Sequence, residues 1–330
     1  MNYRTLGRTG LEVSEIGFGC GNVGGLMVRG ENRDQVKAVA RAMELGINYF
    51  DTASQYGDGQ SETNLGRVLN ELNAQVYVGT KYRLTADDDA DIKAGIIASV
   101  DASLARMGRE HVNLIQLHNR LAPQRDLAGG TLSVEDVLGE VVEATETLKS
   151  QGKIDFWGLT GVGVPESLNR VVDSGALYSI QTVYNLINPS AGADVVPGFD
   201  MPDYKRMIDK AISAGMGVIV IRVLAAGALS GVAERDPVAV PTVAPIGSGR
   251  DYQQDFDRSE GFRFLVDEGF ADDLVEASVR FALSNTGVST VLVGYSNLDH
   301  LEQSVRFSDK GPLPSEALAK LPQVWARFVA

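Results

Sequence analysis

The chain has 330 residues, of which 44% are hydrophobic and 22% charged, so it can bury a large core and does not resemble a disordered chain. Its 30 Lys and Arg residues against 43 Asp and Glu residues give a net charge of −13. Because no strongly basic run occurs, we expect neither nucleic acid nor a membrane as a partner. The acidic excess, without a signal peptide or a long apolar run, predicts a soluble, cytoplasmic protein. Cys20 is the single cysteine, which excludes an internal disulfide and a multi-cysteine metal site.

Short β-rich segments alternate with segments of helical periodicity along almost the whole chain. Strands are predicted at 15–20, 47–53, 76–82, 112–119, 153–160, 178–185, 217–223 and 289–294. Apolar residues recur at helical spacing between them, and helices are predicted, among others, at 61–72, 165–174, 202–214, 270–285 and 297–307. Pro165 and Pro202 suit the first turns of two of these helices.

Eight strand–helix pairs, with strands that are apolar on both faces, indicate a parallel sheet covered by helices. Six pairs would suit an open doubly wound sheet, whereas eight suit a closed barrel. We therefore predict an α/β fold, a single (β/α)8 TIM barrel, with residues 1–330 forming one domain. Residues 3–14 are predicted to form an N-terminal β-hairpin before the first barrel strand. Residues 225–268, after the seventh strand, form a long connection rich in Gly, Pro and Asp, a candidate cover for cofactor and substrate.

Four ionisable residues follow three neighbouring strands of the predicted barrel. Asp51 and Tyr56 follow the second strand, Lys81 ends the third and His118 ends the fourth. Each alone has an ordinary structural explanation, but the active sites of such barrels lie at the carboxyl ends of the strands. A lysine ammonium close to a phenol favours its phenolate, an aspartate holds the lysine charged, and a neutral histidine can bind the same substrate oxygen. Together these groups could polarise a carbonyl, or in reverse take the proton from an alcohol.

These residues lie in motifs that resemble the aldo-keto reductase superfamily over almost the whole chain. YRTLGRTGLEVSEIGFG is similar to the family's hairpin and first strand, NYFDTASQYGDGQSETNLG to its Asp-Tyr motif, VGTKY to its lysine strand and LIQLHN to its histidine strand. The resemblance implies that Tyr56 is the general acid/base, that Lys81 and Asp51 lower its pKa, and that His118 orients the substrate. It also implies a small-molecule carbonyl or sugar substrate and a nicotinamide cofactor, NADPH or NADH. No metal is expected.

The resemblance also implies a set of cofactor-binding residues: Gly19, Cys20, Asp51, Thr160, Gln181, Arg222, Leu224, Gly227, Gly294, Ser296, His300 and Gln303. Several positions depart from the family pattern: Gly161 replaces an asparagine, Ile221 an aromatic residue and Arg222 a small hydroxyl residue, while Gln303 and Ser304 replace a frequent Glu-Asn pair. Arg222 is interpreted either as an exposed charge or as a clamp on the pyrophosphate. Between Gly294 and Ser304 there is no Lys or Arg to hold a 2′-phosphate, so discrimination against NAD is expected to be weak or reversed.

Other functions explain these residues less well. Gly19–Gly24 has the G-x-G-x-x-G spacing of a dinucleotide fold, but the next predicted helix begins near Arg33 instead of at the third glycine. Lys81 could form a Schiff base in a lyase, although that chemistry gives Tyr56 no role. The three histidines lack the spacing of metal ligands, which disfavours a metal hydrolase. Two alternatives stay open: an NAD-linked aldose dehydrogenase working oxidatively, and a catalytically weak redox sensor that binds nicotinamide. The oligomeric state is unknown.

Overall fold

A computed structural model describes residues 1–329, and eight parallel strands close into a barrel at its centre. In barrel order these strands are β3 Ile16–Gly19, β4 Tyr49–Asp51, β5 Tyr77–Tyr82, β6 Val112–Leu117, β9 Ile154–Gly161, β10 Ser179–Val183, β11 Gly217–Ile221 and β12 Thr290–Gly294. The last strand pairs with the first through Val291↔Ile16, which closes the barrel. All eight predicted strands are present, and the predicted (β/α)8 TIM barrel is confirmed.

The predicted hairpin covers the amino-terminal end of the barrel. Strands β1 Tyr3–Thr5 and β2 Glu12–Ser14 pair antiparallel, and between them Leu6 is fully buried. The hairpin packs into an apolar cluster inside the barrel, which contains Leu6, Val13, Tyr49, Leu114, Ile219 and Leu292. Gly7 has φ +51°, and a Cβ atom there would lie 2.2 Å from the backbone nitrogen of Gly217. The hairpin can therefore approach β11 this closely only with glycine at that position.

Helices surround the barrel and bury one face against the strands. Their bounds are α1 Leu26–Arg29, α2 Asn32–Glu44, α3 Gln60–Glu71, α4 Ile92–Met107, α5 Val134–Asp136, α6 Val142–Ser150, α7 Pro165–Asp173, α8 Met207–Ser213, α9 Tyr252–Ser259, α10 Phe264–Asp267, α11 Leu274–Ser284, α12 Leu298–Asp309 and α13 Ser315–Trp325. A short pair, β7 Arg120–Leu121 and β8 Thr131–Leu132, lies outside the barrel. Among residues 1–329, no helix combines the length and apolar character that a membrane crossing requires.

One predicted helix begins later than expected. The prediction placed its start near Pro202, whereas α8 begins at Met207. Lys205 and Arg206 both have positive φ, +51° and +56°, which a right-handed helix does not allow. The carbonyl of Pro202 instead accepts a hydrogen bond from the side chain of Asn188, so this segment is held as a loop.

The long connection after β11 is partly helical and passes the end of β12 at the barrel mouth. It contains α9, α10 and, at 225–230, tight turns with a kink at Ala226 and Gly227, while residues 231–245 lack regular structure. We call residues 231–245 the strap. The strap reaches the loop after β3, where Val240 N donates to Val23 O at 3.2 Å and Arg29 Nε donates to Val238 O at 2.8 Å. It thus spans the interval between the ends of β11 and β3.

Candidate active site

Strand register brings three of the four predicted catalytic residues to the carboxyl end of the barrel. Asp51 pairs in register with Gly79 of β5, and Lys81, two residues further along β5, pairs with Gln116 of β6. Because side chains alternate along a strand, Asp51 and Lys81 both point into the barrel. His118 follows the last residue of β6, and its backbone N–H donates to Tyr82 O at 2.9 Å.

Tyr56 is brought to the same place by the loop after β4. Its N–H donates to Ala53 O at 3.1 Å, and its carbonyl accepts from the N–H of Ser61 at 3.1 Å. The Ser61 hydroxyl in turn donates to Cys20 O at 2.9 Å and lies 2.8 Å from the hydroxyl of Thr52. Ser61, at the start of α3, therefore links the loop that carries Tyr56 by hydrogen bonds to the residues that follow β3 and β4.

The ammonium group of Lys81 has three acceptors around it. Nζ donates to Oδ1 of Asp51, to the carbonyl of Thr52 at 2.7 Å and to Oη of Tyr56 at 3.1 Å. An ammonium has three N–H donors and accepts no hydrogen bond, so all three are used. Oη of Tyr56 therefore accepts a hydrogen bond from Lys81. The hydroxyl proton of Tyr56 is not used in this contact and can be donated to another group.

Asp51 is a fully enclosed carboxylate with a donor on each oxygen. Oδ1 accepts from Lys81, and Oδ2 accepts from Nε2 of Gln181 on β10 at 2.7 Å, with Oη of Tyr49 at 3.4 Å. Burial alone would lower the pKa of Lys81, but the negative charge and hydrogen bond of Asp51 raise it by more, and the net shift is upward. Lys81 therefore stays a cation although it is completely buried.

His118 completes the group on the other side of the phenol. Its ring lies edge-on to the Tyr56 ring, with the centroids 5.9 Å apart at 86°. Burial, followed by the positive charges of Lys81 and Arg83, lowers the pKa of His118 from 6.5 to about 3. The imidazole is therefore neutral at ordinary pH, and its Nδ1 is buried without a hydrogen-bond partner in the described part of the chain.

The predicted cofactor residues of the first and last barrel strands line a groove formed by backbone. Gly19 pairs with Gly294, and a Cβ atom on Gly294 would lie 3.8 Å from Gly19 O and from Gly24 N, so a side chain would fill this space. Cys20 presents backbone here, because its side chain is buried in the core, and burial raises the pKa of its thiol. The Ser296 hydroxyl donates to Gly24 O at 2.8 Å and holds the groove's two sides together.

Thr160 and Gln181 lie next to each other on β9 and β10, facing into the barrel. Oγ1 of Thr160 is buried and has no hydrogen-bond partner among residues 1–329. Gln181 differs from the prediction in one respect, because its amide nitrogen is already bound to Asp51. Sequence alone did not indicate this contact, since it joins residues 130 positions apart.

The loop after β11 holds Arg222, Leu224 and Gly227 in a tight, unusual conformation. Arg222, Ala225 and Ala226 all have positive φ, between +46° and +60°, and Gly227 has φ +107°. The carbonyl of Arg222 accepts from Nδ2 of Asn185 at 2.8 Å, which fixes its backbone. Burial lowers the pKa of Arg222, whose guanidinium is thus partly enclosed instead of fully exposed.

The start of α12 supplies the last two predicted residues, His300 and Gln303, and both are exposed. Asn297 caps this helix by accepting from the N–H of His300 at 3.0 Å. Its Nδ2 donates at 2.9 Å to Asp236 of the strap, whose other oxygen accepts from Val238 N. A carboxylate is therefore held at the amino end of α12.

Sequence reasoning missed two strap residues at this side of the site. Asp236 is one of them, and Arg235 is the other, because its guanidinium donates to Ala226 O at 2.9 Å and to Val240 O at 2.7 Å. The strap shows no periodicity in the sequence, so no signal placed these charges near the barrel mouth. Among residues 1–329, no group of three or more His, Cys, Asp or Glu residues is arranged to hold a metal ion.

Known proteins with similar sequences cover nearly the whole chain. L-galactose dehydrogenase of Arabidopsis thaliana is 29% identical over 92% of this chain and 87% of its own length. An uncharacterized oxidoreductase, YqkF, of Bacillus subtilis is 26% identical over 97% and 95% of the two chains. A putative voltage-gated potassium channel subunit beta of Schizosaccharomyces pombe is 26% identical over 98% and 92%.

Solved structures share the fold. The holo form of aldo-keto reductase AKR11C1 from Bacillus halodurans superposes with a TM-score of 0.71 at 24% identity, covering 100% of this chain and 97% of that one. The profile of the aldo/keto reductase family matches residues 15–326. Together with the closed eight-stranded barrel, this match shows that the chain belongs to the aldo/keto reductase family and is an oxidoreductase.

Proposed function

We propose that the protein is an NAD(P)-dependent oxidoreductase that interconverts an aldehyde or ketone, or a sugar, with the corresponding alcohol, using Tyr56 as general acid/base. The observation that carries this proposal is the orientation of the Lys81 ammonium. Its three donors are taken by Asp51, Thr52 and Tyr56, so the Tyr56 proton is available to a substrate oxygen. A carbonyl oxygen beside Oη could accept that proton as negative charge develops on it.

Each neighbour has a defined task in this proposal. The positive charge of Lys81, 3.1 Å from Oη, stabilises the oxygen of Tyr56 after its proton has left. Asp51 keeps Lys81 charged and fixed in position. His118, neutral and with an unpartnered Nδ1, would bind the same substrate oxygen and hold the carbonyl in place. In the oxidative direction the Tyr56 phenolate takes the proton from the alcohol.

A nicotinamide cofactor fits the residues around this group. Oγ1 of Thr160 is a buried hydroxyl without a partner in the described chain, suited to the carboxamide of the ring. Gly19 and Gly24 pack against the backbone of residues 293–295, whereas Gly294 is exposed and a Cβ atom there would have its nearest neighbours at 3.8 Å. The dinucleotide would therefore lie over Gly294. Arg222 and Arg235 lie along the loop that would face the pyrophosphate. The cofactor would supply or accept the hydride at the substrate carbon, and the protein residues would handle the proton.

The adenosine end of this site favours NAD over NADP. The segment from Gly294 to Ser304 contains no lysine or arginine, and the carboxylate of Asp236 is held at the start of α12. A 2′-phosphate bound beside this segment would find no lysine or arginine in it and would be repelled by the Asp236 carboxylate. The ribose hydroxyls of NAD could instead donate hydrogen bonds to that carboxylate. We expect NAD to be used at least as well as NADP, and a hundredfold preference for NADPH would contradict this.

A second candidate is oxidation of a sugar with NAD. It is favoured by the absence of lysine and arginine from the segment Gly294–Ser304, which suits NAD. One relative is named L-galactose dehydrogenase. A third candidate is a redox sensor that binds the cofactor without efficient turnover. One relative is named a putative voltage-gated potassium channel subunit beta, which favours this candidate. The assay that separates them measures cofactor absorbance with a panel of aldehydes and sugars, in both directions and with both cofactors. Turnover of aldehydes with NADH supports the reductase, turnover of sugars with NAD supports the dehydrogenase, and tight cofactor binding without turnover supports the sensor.

A further inference from the structure

Two arginines in the loops next to His118, Arg83 and Arg120, form no salt bridge with any residue that the structure describes. Arg83 follows Lys81 by two residues and Arg120 follows His118 by two, so both lie just beyond the carboxyl ends of β5 and β6. Both are exposed, and across the described residues 1–329 neither guanidinium lies within salt-bridge distance of a carboxylate. Arg125 nearby does have such partners, Asp89 at 3.4 Å and Asp136 at 3.7 Å.

The two arginines are fastened to each other through the loops that carry them. Oδ1 of Asn119 accepts from Leu84 N at 2.8 Å, and Nδ2 donates back to Leu84 O at 3.0 Å. The residue after Arg83 is therefore bound to the residue before Arg120. Both arginines also meet at Gly130: Arg120 N donates to its carbonyl at 3.1 Å, and a Cβ atom there would lie 2.3 Å from Nη2 of Arg83.

Both positive charges act on groups that surround the barrel mouth. Burial is the largest cause of the lowered pKa of His118, and the charges of Lys81 and then Arg83 add to it. Burial raises the pKa of Tyr204 to about 12, and the charge of Arg120 opposes this rise. The hydroxyl of Tyr204 lies beside Gly247 and Val183, at the end of β10.

The position of this pair argues against a role in holding the dinucleotide. In the barrel order, β5 and β6 lie opposite β11 and β12, the strands that border the glycine groove and the loop of Arg222. An anion bound at β5 and β6 would therefore lie beyond His118 and Tyr56, on the side from which a carbonyl compound would approach. Both arginines are exposed and have no carboxylate partner among residues 1–329, so their guanidinium groups are free to bind an anionic ligand on this side of the mouth.

We infer that Arg83 and Arg120 form a subsite for an anionic group, a carboxylate or a phosphate, on the carbonyl substrate. This inference rests on the proposed reductase function and names the substrate class for it. The arginine pair would bind the anionic oxygens while His118 and Tyr56 bind the carbonyl oxygen, so that charge and reacting group are held at two separate points.

Matched substrates test the inference, with turnover measured from cofactor absorbance. Succinic semialdehyde and butanal share a four-carbon chain and differ in the carboxylate, while glyceraldehyde 3-phosphate and glyceraldehyde differ in the phosphate. Wild-type protein should favour at least one charged member in kcat/KM, which tells whether the anion is a carboxylate or a phosphate. In Arg83→Gln/Arg120→Gln, KM for that charged member should rise by at least about tenfold while the neutral member is unchanged.

Two controls make the result specific. Arg109→Gln removes the same charge at the amino-terminal end of β6, where Nε donates to the carbonyl of His111 at 3.3 Å, and should leave KM for both members of each pair unchanged. Arg83→Lys/Arg120→Lys keeps both charges and should restore part of the preference. Equal use of charged and neutral substrates by wild-type protein, or an equal loss for both in the double variant, would overturn the subsite and leave the proposed function standing. A rise in KM for the cofactor alone would also overturn it.

Thermal unfolding tests the subsite independently of turnover. Succinate or inorganic phosphate should raise Tm of the wild-type protein and of Arg109→Gln, but not of Arg83→Gln/Arg120→Gln. If no carbonyl compound is turned over, the proposed function fails, and this Tm difference still decides whether the anion site exists. Equal shifts in all three proteins would count against it.

Discussion

Gln181 on β10 and Asp51 on β4 are joined across the barrel by a 2.7 Å hydrogen bond from Nε2 to Oδ2. Both residues are buried, and Lys81 occupies the other carboxylate oxygen. The carboxylate that binds Lys81 is thus itself held from the opposite wall of the barrel. Hydrogen bonds therefore connect Gln181 to Tyr56 through Asp51 and Lys81, and under the proposed function Gln181 is a positioning residue.

Replacing Gln181 with methionine tests this positioning role. The variant keeps about the length of the side chain but leaves Oδ2 of Asp51 with the longer 3.4 Å contact to Oη of Tyr49 in place of its 2.7 Å donor. A poorly satisfied buried acceptor costs about 1–3 kcal/mol. We expect kcat to fall while the dissociation constant for the cofactor stays near that of the wild type. The double variant Asp51→Asn/Gln181→Met should lose less than the sum of the single losses, because both changes act on one contact. A large loss of cofactor affinity with unchanged kcat would assign Gln181 to the cofactor instead.

Tyr56→Phe removes the proposed general acid/base. The expected result is a loss of kcat of about 10²–10⁴-fold with cofactor binding retained, as measured by steady-state kinetics and fluorescence titration. Tyr82→Phe is the matched control, because Tyr82 lies next to Lys81 but its buried hydroxyl has no partner in residues 1–329. Tyr82→Phe should keep full activity. Equal kcat in Tyr56→Phe and wild type would refute the assignment.

Lys81→Met should damage stability as well as catalysis. It leaves the buried carboxylate of Asp51 without its cation, and breaking such a pair typically costs about 3–5 kcal/mol. The free energy of unfolding, measured in urea, should therefore fall by several kcal/mol. Asp51→Asn/Lys81→Met removes both charges and should recover part of that loss, while activity stays low in both proteins. If the double variant is less stable than the single one, the pair is not held by its charges.

The sequence was sufficient to predict the barrel and the positions of the four rim residues. Eight apolar strands repeat with helices between them, and each of these strands was predicted within a few residues of its observed bounds. Asp51, Lys81 and His118 could be placed because residues at strand ends meet at one end of any parallel barrel. Such inferences need only local patterns and a topology.

Contacts between distant parts of the chain could not be predicted in this way. The bond from Gln181 to Asp51 depends on barrel closure and on rotamers, and the strap reaches Val23, Arg29 and Asn297 without any periodic signal. The start of α8 was misplaced because positive φ at Lys205 and Arg206 overrides the first-turn preference of Pro202. Local preferences were outweighed there by tertiary hydrogen bonds.

His118 should affect stability through its protonation. The pKa of this residue is about 3 in the folded protein against 6.5 ordinarily, so below pH 6.5 the unfolded chain binds a proton that the folded chain does not. The contribution of neutral His118 to the free energy of unfolding is therefore fully present above pH 6.5 and is lost as the pH falls towards 3. Between about pH 7 and about pH 5, His118 should cost the wild type about 2 kcal/mol of unfolding free energy. His118→Asn should lack this pH dependence. Urea unfolding of the wild type and the variant, measured at both pH values, tests the difference.

The pH dependence of activity should lack a histidine ionisation. Because His118 stays neutral down to about pH 3, kcat/KM should show no inflection near 6.5 that disappears in His118→Asn. Such an inflection, present in the wild type and absent in the variant, would mean that the imidazole is protonated in the working pH range.

Asp236 should determine cofactor preference from the strap. Its carboxylate accepts from Asn297 at the amino end of α12, where the adenosine ribose is expected to bind. Asp236→Asn keeps the shape of the side chain and its contact with the helix cap but removes the negative charge. We expect kcat/KM for NADP to rise about tenfold relative to NAD, since a charge opposing a phosphate is removed. Glu234→Gln, a change of the same charge at an exposed strap residue two positions earlier, should leave the ratio as it is. If both variants shift the NADP-to-NAD ratio of kcat/KM equally, the preference follows from net charge and not from a contact between Asp236 and the ribose.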